Sequence, residues 1–549
     1  MAMTQMAPEE AIQSWLKEYG GDHISAAYFL CDRHAHIPEK VALFYEDEKG
    51  EAFKWTFSEL QNLSSKMAGF FKSIGIQKGD RVAILLPKVP ELLITALAVW
   101  RLGAVYVPLF TAFGPDAIDY RLGDSNTRVV VTNATHRPKL SEASAYTNGS
   151  IQVITTADMR GIGIEKGDYS FWNELEKAEP VEEPTPITGN DLIIMLYTSG
   201  ATGNPKGVEV PLKALASFQA YMEFGLDVRE DDMYWNMADP GWAYGLYYNV
   251  VGPLLLGKAA LFFNAHFSPG EILRILSKYR VTNFASAPTA YRALKADGES
   301  VVKQFPLHLR VASSAGEPLN PAVIEWSKKL WGIPIYDHYG QTELGMVVNN
   351  HHHTYLQRPI KMGSMGQPMP GFRMVVVDME GNELEPGKEG ILAVDLPNSP
   401  LFWFRGYWQD ESKTREKFVG AGRYCVAGDT VTMDAEGYFY FSGRSDDIIL
   451  CAGYRVGPFE VENALIKHPA VAEAAVVGIP DELRGETIKA FVVVVPGTTA
   501  SESLADELKL FVKKHLAAHQ YPREIEFVEQ LPKTPSGKVQ RFLLKKQYY

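Results

Sequence analysis

The sequence predicts an α/β protein of parallel and mixed sheets flanked by helices, with a smaller α+β unit at its C-terminal end. Three observations predict it. Short apolar runs alternate with helical patterns through about residue 370, the order that lays helices over parallel strands. The pattern then turns β-rich. A final block of about a hundred residues holds strands and an amphipathic helix of its own. The 549 residues, 46% hydrophobic and 22% charged, suit a globular chain of roughly three to five structural units and exclude a disordered, collagenous or coiled-coil one.

In chain order, Arg81–Leu86 reads as a strand, and Pro90 and Glu91 suit the first turn of a helix running to Leu102. Val105–Leu109 is a second short apolar run. Asp191–Tyr197 is a strand ending in a Thr/Ser/Gly loop, and Val281–Ala287 stops at Pro288, with a helix starting at Thr289. Met374–Asp378 and Gly390–Asp395 are strands with a turn at Glu380-Gly381 between them, and a turn at Asp434–Gly437 precedes the strand Tyr438–Ser442. The charged segment Gly443–Asp447 marks a boundary near Arg444–Asp446, dividing the chain into 1–444 and 445–549. The second part carries strands at Val471–Gly478 and Ile488–Val495, and a helix with Leu504, Leu508, Phe511, His515 and Leu516 along one stripe.

The formal charge is 54 − 66 = −12 and the isoelectric point about 5.6, so nothing points to nucleic acid. Cys31, Cys425 and Cys451 are odd in number and widely spaced, which excludes a disulfide framework and fits a reducing compartment. The first residues, with Glu9 and Glu10, do not read as a secretory signal. The longest apolar stretch, Leu92–Phe110, is broken by Arg101, Gly103 and Pro108 and fails as a membrane span. A cytoplasmic protein, monomeric or homodimeric, is expected.

The segment Tyr197–Gly207 (YTSGATGNPKG) follows a predicted strand and gathers Gly200, Gly203 and Gly207, the hydroxyls of Thr198, Ser199 and Thr202, and Lys206. Glycines let backbone N–H groups turn toward an anion, hydroxyls add donors, and a lysine adds positive charge. It is not a Walker A loop, because Pro205 precedes Lys206 and Gly207 follows it.

This loop resembles the signature of the adenylate-forming superfamily of acyl-CoA synthetases, peptide-synthetase adenylation domains and luciferases, with Ala201 where a hydroxyl is common. Further matches follow in the family's order. Ser314-Ala315-Gly316-Glu317-Pro318 resembles the adenine-pocket segment. Asp337 and His338 lead into Tyr339-Gly340-Gln341-Thr342-Glu343, resembling the signature whose aromatic flanks adenine, whose Thr contacts phosphate and whose Glu holds magnesium. Asp429 resembles the ribose-gripping aspartate. Gly443–Glu462 resembles the hinge motif, and Pro532–Lys538 the C-terminal lysine loop.

The resemblance implies a large adenylation domain with a β-barrel-like subdomain and a small mobile C-terminal lid. ATP, a carboxylic acid and coenzyme A are the implied substrates, with Mg2+ as cofactor. Lys538 would bridge the acid and the α-phosphate, so that two anions can meet. Thr342 and Glu343 would complete the catalytic set, and Arg444 and Arg455 would touch the nucleotide. Asp446 would be the hinge, Gly453 would line the thiol tunnel and Lys513 would meet the nucleotide end of coenzyme A. Acylation of Lys538 would abolish the first half-reaction by removing its charge.

The segment Asp239–Gly245 resembles the acyl pocket of acetyl- and medium-chain acyl-CoA synthetases, with Trp242, Ala243, Tyr244 and Gly245 as its candidate lining beside Ala315 and Gly340. Acetate-selective relatives commonly carry a tryptophan at the position of Gly340. Its loss would open room for several methylenes, each worth about 0.8 kcal/mol when buried, while Tyr244 shortens the slot. A short- to medium-chain acid is therefore expected. An acetyl- or propionyl-CoA synthetase and a carrier-protein-loading ligase stay open as alternatives. A nucleotide binder without turnover is disfavoured, since it would not need Lys538. The run His351-His352-His353 is expected as a solvated loop, because consecutive imidazoles seldom share one ion.

Overall fold

The computed structural model describes all residues except 1–6, 142, 158–163, 199–204, 445, 446, 448, 452, 453, 482–484, 517–520, 534–538, 547 and 549, and describes the backbone alone at 145, 444, 450, 454, 455, 460 and 485. The architecture is mixed α/β, with a large N-terminal part and a smaller C-terminal one.

Among the described residues the strands form four sheets. One runs Tyr169–Ser170, Gln152–Thr156, Thr127–Asn133, Arg81–Leu85, Val105–Pro108, Leu192–Thr198, Lys206–Pro211, parallel throughout except for its last pair. The helix Pro90–Arg101 covers it, with Pro90 at its first turn and every residue but Glu91 buried. The apolar run Leu92–Phe110 is thus a buried helix followed by a buried strand, and no described helix is long and apolar enough to cross a membrane.

The second sheet begins with four parallel strands, Tyr234–Asn236, Asn283–Ser286, Val311–Ala315 and Ile335–Gln341. It continues antiparallel through Gly345–Asn349, Ser364–Pro368, Phe439–Arg444, Tyr424–Met433, Glu389–Asp395 and Met374–Val377. The antiparallel strands of the part expected to be barrel-like continue the site-bearing sheet. The turn between the two comes at Gly366, at φ +100°, where a Cβ would lie 2.1 Å from the carbonyl carbon of Asn349. No other residue allows that approach.

Ala260–Asn264, Val41–Asp47 and Ala52–Thr56 form a three-stranded sheet. Tyr454–Val456, Ile449–Cys451, Gly485–Val494, Val471–Asp481 and Glu524–Phe527 form the fourth, with its own apolar core around Val476, Val492 and Leu508. Two sequence expectations shift here. The helix after the strand Asn283–Ser286 starts at Pro288 rather than Thr289, because proline is pre-set for a first helical turn. The buried stripe of Glu502–His515 is Leu504, Ala505, Leu508 and Val512, while Phe511 leaves it and lies tilted against the His515 ring at 4.2 Å. All three cysteines are buried and none is in a disulfide.

Candidate active site

A cleft of about 1560 Å3 lies along the C-terminal ends of the parallel strands, where α/β sheets place ligands. Thr198, Lys206, Ala315, Gly316, Glu317, Pro318, Asp337 through Glu343, Asp429, Trp242, Ala243 and Tyr244 all line it, from six separate stretches of chain. From the C-terminal part, Asp447, Glu462, Lys533 and Arg541 line it as well.

At one wall the strand Ile335–Gln341 ends beside Tyr424–Met433. Tyr339 Oη donates to Asp429 Oδ2. Gln341 Nε2 donates at 2.9 Å to Asp429 Oδ2, to Tyr339 Oη and to the Ala427 carbonyl. Asp429 is 4% exposed; its carboxylate is thus held in place before any ligand arrives, which suits bidentate recognition of a diol. Strand register puts the backbone of Arg444 directly opposite Asp429. Gly316 adopts φ +100° with open space where a Cβ would stand. The Glu317 side chain is clamped within the cleft lining, accepting from Arg292 Nη2 at 2.9 Å and Thr289 Oγ1 at 3.0 Å.

At the other wall, Glu343 accepts from Tyr407 Oη at 2.7 Å, and Lys206 Nζ stands 4.7 Å above the Tyr407 ring. Burial lowers the Lys206 pKa, opposed by the negative charge of Glu343. Lys413 and Lys417 line the same end. Thr198 pairs with Lys206 across an antiparallel ladder, so both ends of the Gly-rich loop are fixed. Ser199, Gly200, Thr202 and Gly203 lie outside the described residues, as do Asp446, Gly453 and Lys538; the side chains of Arg444 and Arg455 do too. Lys533, at the other end of the lysine loop, bridges Val539 through the backbone and binds Glu473 at 2.6 Å. The Thr342 carbonyl accepts from Tyr247 Oη at 3.2 Å.

The buried groups Asp337 and His338 lead into this wall. Burial pushes the Asp337 carboxyl up to about 8 despite the Leu319 N–H on its Oδ2. Burial holds His338 down to about 3, so the ring is neutral. His338 Nε2 lies 2.8 Å from the Asn350 carbonyl, which only accepts, so Nε2 carries the proton. Nδ1 then accepts from Tyr221 Oη at 2.7 Å.

The acyl region departs from the expectation at two residues. Gly245 does not line the cleft: a Cβ there would be 2.0 Å from the Asp239 carbonyl oxygen, so this glycine serves a close backbone approach behind the wall. Gly340 does line it, yet a Cβ would lie 2.2 Å from the Gly345 carbonyl oxygen and 2.6 Å from Met346 Sδ. The space that a larger side chain would take is filled by Met346, and Gly340 is required by the irregular pairing between Tyr339 and Gly340. Trp242 packs edge-on against Phe113 at 5.5 Å. Lys513 is exposed, with Nζ 5.3 Å from the Tyr521 ring, and does not line the cleft.

Sequence reasoning missed Tyr407, Met346, Tyr221 and Lys88, whose half-buried charge faces Asp239 of the acyl-pocket segment. Lys88 Nζ donates to the Met237 carbonyl at 2.8 Å; burial lowers its pKa and raises that of Asp239. No local pattern marks these residues; pairing across the chain does.

The histidine run is corrected as well. His351 and His352 are buried, not solvated. His352 stacks on Tyr336 at 4.0 Å with Nε2 3.0 Å from Ser313 Oγ, and His351 Nε2 donates to the Pro368 carbonyl at 3.2 Å. The His352 ring thus packs against the strands Val311–Ala315 and Ile335–Gln341. Among the described residues no group of three metal-ligating side chains occurs. Burial lowers His351 to about 4 and His352 well below its ordinary value. Each unfolded histidine takes a proton near pH 6.5, so the stability they confer is full above that pH and is lost as pH falls toward their folded values. A His352→Gln variant should show a pH-dependence of urea unfolding between pH 4 and 6.5 that is shallower by about one proton, about 1.4 kcal/mol per pH unit. A slope equal to that of the unsubstituted protein would contradict this.

Two family models match the chain: AMP-binding enzyme over residues 31–408 and AMP-binding enzyme C-terminal domain over residues 460–538. The acetyl-coenzyme A synthetase of Bacillus subtilis (strain 168) is 39% identical over 535 residues, which is 95% of this chain and 90% of that protein. The mitochondrial acyl-coenzyme A synthetase ACSM3 of Rattus norvegicus is 38% identical over 518 residues, 92% of this chain and 86% of that protein. The crystal structure of a Brucella canis acyl-CoA synthetase superposes with a TM-score of 0.78 at 47% identity, covering 99% of this chain and 97% of that one. With these matches and the cleft together, the chain belongs to the AMP-binding enzyme family, among the adenylate-forming acyl- and acetyl-CoA synthetases, which are AMP-forming ligases.

Proposed function

We propose that this enzyme joins a short- to medium-chain carboxylic acid to ATP as an acyl-adenylate, and then to coenzyme A as a thioester, releasing pyrophosphate and AMP. The observation that carries the reading is the pre-assembled Tyr339–Gln341–Asp429 group facing Glu343 and Lys206 across one cleft that continues into an aromatic pocket. Asp429 takes the ribose hydroxyls, Tyr339 flanks the adenine, and Lys206 with Thr198 meets the phosphates. No general base is needed, because the acid is already ionised at neutral pH.

Glu343 fits magnesium: it is a single buried carboxylate, held by Tyr407 and open to phosphate oxygens and water, the setting a water-retaining divalent cation uses. When bound, the ion would neutralise phosphate charge as pyrophosphate departs. Lys538 neutralises the approach of acid and α-phosphate, and residues 445–549, turning about Asp446, then withdraw it to admit the thiol past Gly453. A cytoplasmic location and a monomer or homodimer accompany this reading.

A second reading, an acetyl- or propionyl-CoA synthetase, is favoured by Met346, whose thioether fills the space beside Gly340. Pyrophosphate release across a chain-length series, with and without coenzyme A, decides. The first reading requires an optimum longer than propionate; acetate outperforming every longer acid rejects it. Because Met346 bounds the pocket, Met346→Ala should move the optimum to longer acids by one or two methylenes and raise their kcat/KM by about tenfold. An unmoved optimum would show that Met346 does not set the depth.

A further inference from the structure

The Tyr221–His338 bond fixes the direction of a longer chain. Tyr221 spends its proton on His338 Nδ1, so at the 3.0 Å contact between Tyr221 Oη and Tyr244 Oη the donor is Tyr244. Reversal would put the bare Nε2 lone pair of His338 against the Asn350 carbonyl oxygen at 2.8 Å. Neighbouring hydroxyls have partners elsewhere: Tyr234 Oη donates to the Tyr248 carbonyl at 2.7 Å, Tyr247 Oη donates to Thr342, and Tyr248 Oη accepts from Met346 N–H at 3.2 Å. Tyr244 lines the cleft beside Trp242, Ala243 and Met346, and Tyr221 lies behind it, fully buried.

We infer that Tyr244 presents an acceptor-only hydroxyl to the acyl end of the cleft, so that the enzyme favours acids carrying a hydroxyl or amine donor over shape-matched acids carrying a carbonyl acceptor. This rests on the ligase reading above. A donor on the acid meets a lone pair of Tyr244; a carbonyl meets lone pair against lone pair, with the one proton committed to Tyr221. Discrimination of this kind exceeds what a methylene achieves, because a mismatched polar group stays unpaired in a closed site. Tyr221 acts as a positioning residue, through the proton of Tyr244.

The test uses trios of acids that differ in one group, hydroxyl, carbonyl or methyl, at C3, C4 or C5. Pyrophosphate release gives kcat/KM for the unsubstituted enzyme and for Tyr221→Phe and Tyr244→Phe. At the carbon that reaches Tyr244, the hydroxy acid should exceed the oxo acid by about tenfold. Tyr221→Phe frees the proton of Tyr244 to turn into the cleft, so the hydroxy-to-oxo ratio should fall to one or below. Tyr244→Phe should bring it to one independently, should the first variant fold poorly. A ratio of one at every carbon in the unsubstituted enzyme, or a ratio unmoved by both variants, overturns the inference while the methyl acids still turn over. Should no acid of any kind release pyrophosphate, the ligase reading itself falls and takes this inference with it.

Discussion

Lys538→Ala will lose acyl-adenylate formation by at least about 10²–10³-fold, the scale of removing one preorganised charge-stabilising group. Thioester formation from a preformed acyl-adenylate will stay within a few-fold of the unsubstituted enzyme. The asymmetry follows from charge. The first half-reaction brings a carboxylate onto a triphosphate, and the proposed lysine cancels repulsion at the meeting point. In the second, a thiol meets a mixed anhydride whose carbonyl is already activated. The loop that carries Lys538 is stapled at its base by the Lys533–Glu473 pair, by the backbone bridge of Lys533 to Val539 and by the Arg541–Glu462 pair at 2.7 Å. Truncating one side chain within it leaves that base intact. Pyrophosphate release and chromatography of acyl-CoA made from synthetic acyl-adenylate measure the two halves. Survival of both, or loss of both, removes this role from Lys538.

Glu343→Gln will weaken the apparent magnesium affinity and adenylation by about 10²-fold, while Tyr407→Phe costs only about five- to tenfold. The amide keeps the shape of the carboxylate and still accepts from Tyr407 Oη, so the 2.7 Å contact survives. What it lacks is the charge that a divalent cation needs beside Lys206. Phenylalanine at 407 keeps that charge and the platform under Lys206 Nζ, but releases the Glu343 rotamer. Titration of the pyrophosphate-release rate with magnesium separates the two, with a right-shifted midpoint for Glu343→Gln and a nearly unmoved one for Tyr407→Phe. Full adenylation by Glu343→Gln at ordinary magnesium would refute the assignment.

Much of the fold was legible because local sequence carries it. Pro90 starting a helix and apolar runs of strand length, such as the one ending at Thr198, are short-range signals, and each is found where the pattern put it. The helix of the C-terminal part shows the limit: its existence was readable, but which side it buries depended on the sheet it packs against, and Val512 rather than Phe511 took the core position.

The sequence by itself determined the family, the alternating α/β order and the motif residues that line the cleft, because each motif is a contiguous stretch whose chemistry is written in its own side chains. The tertiary structure alone decided who partners whom. Gly340 reads as room and turns out to be a close approach, because Met346 comes from the next strand. Two of three histidines read as a polar loop are buried, His352 because Tyr336 and Ser313 of the parallel strands lie against its ring. Tyr407 reaches Glu343 across 64 residues, and Tyr221 reaches His338 across 117. Burial and hydrogen-bond direction depend on which distant groups are brought within a few ångströms, and no local spacing encodes that distance.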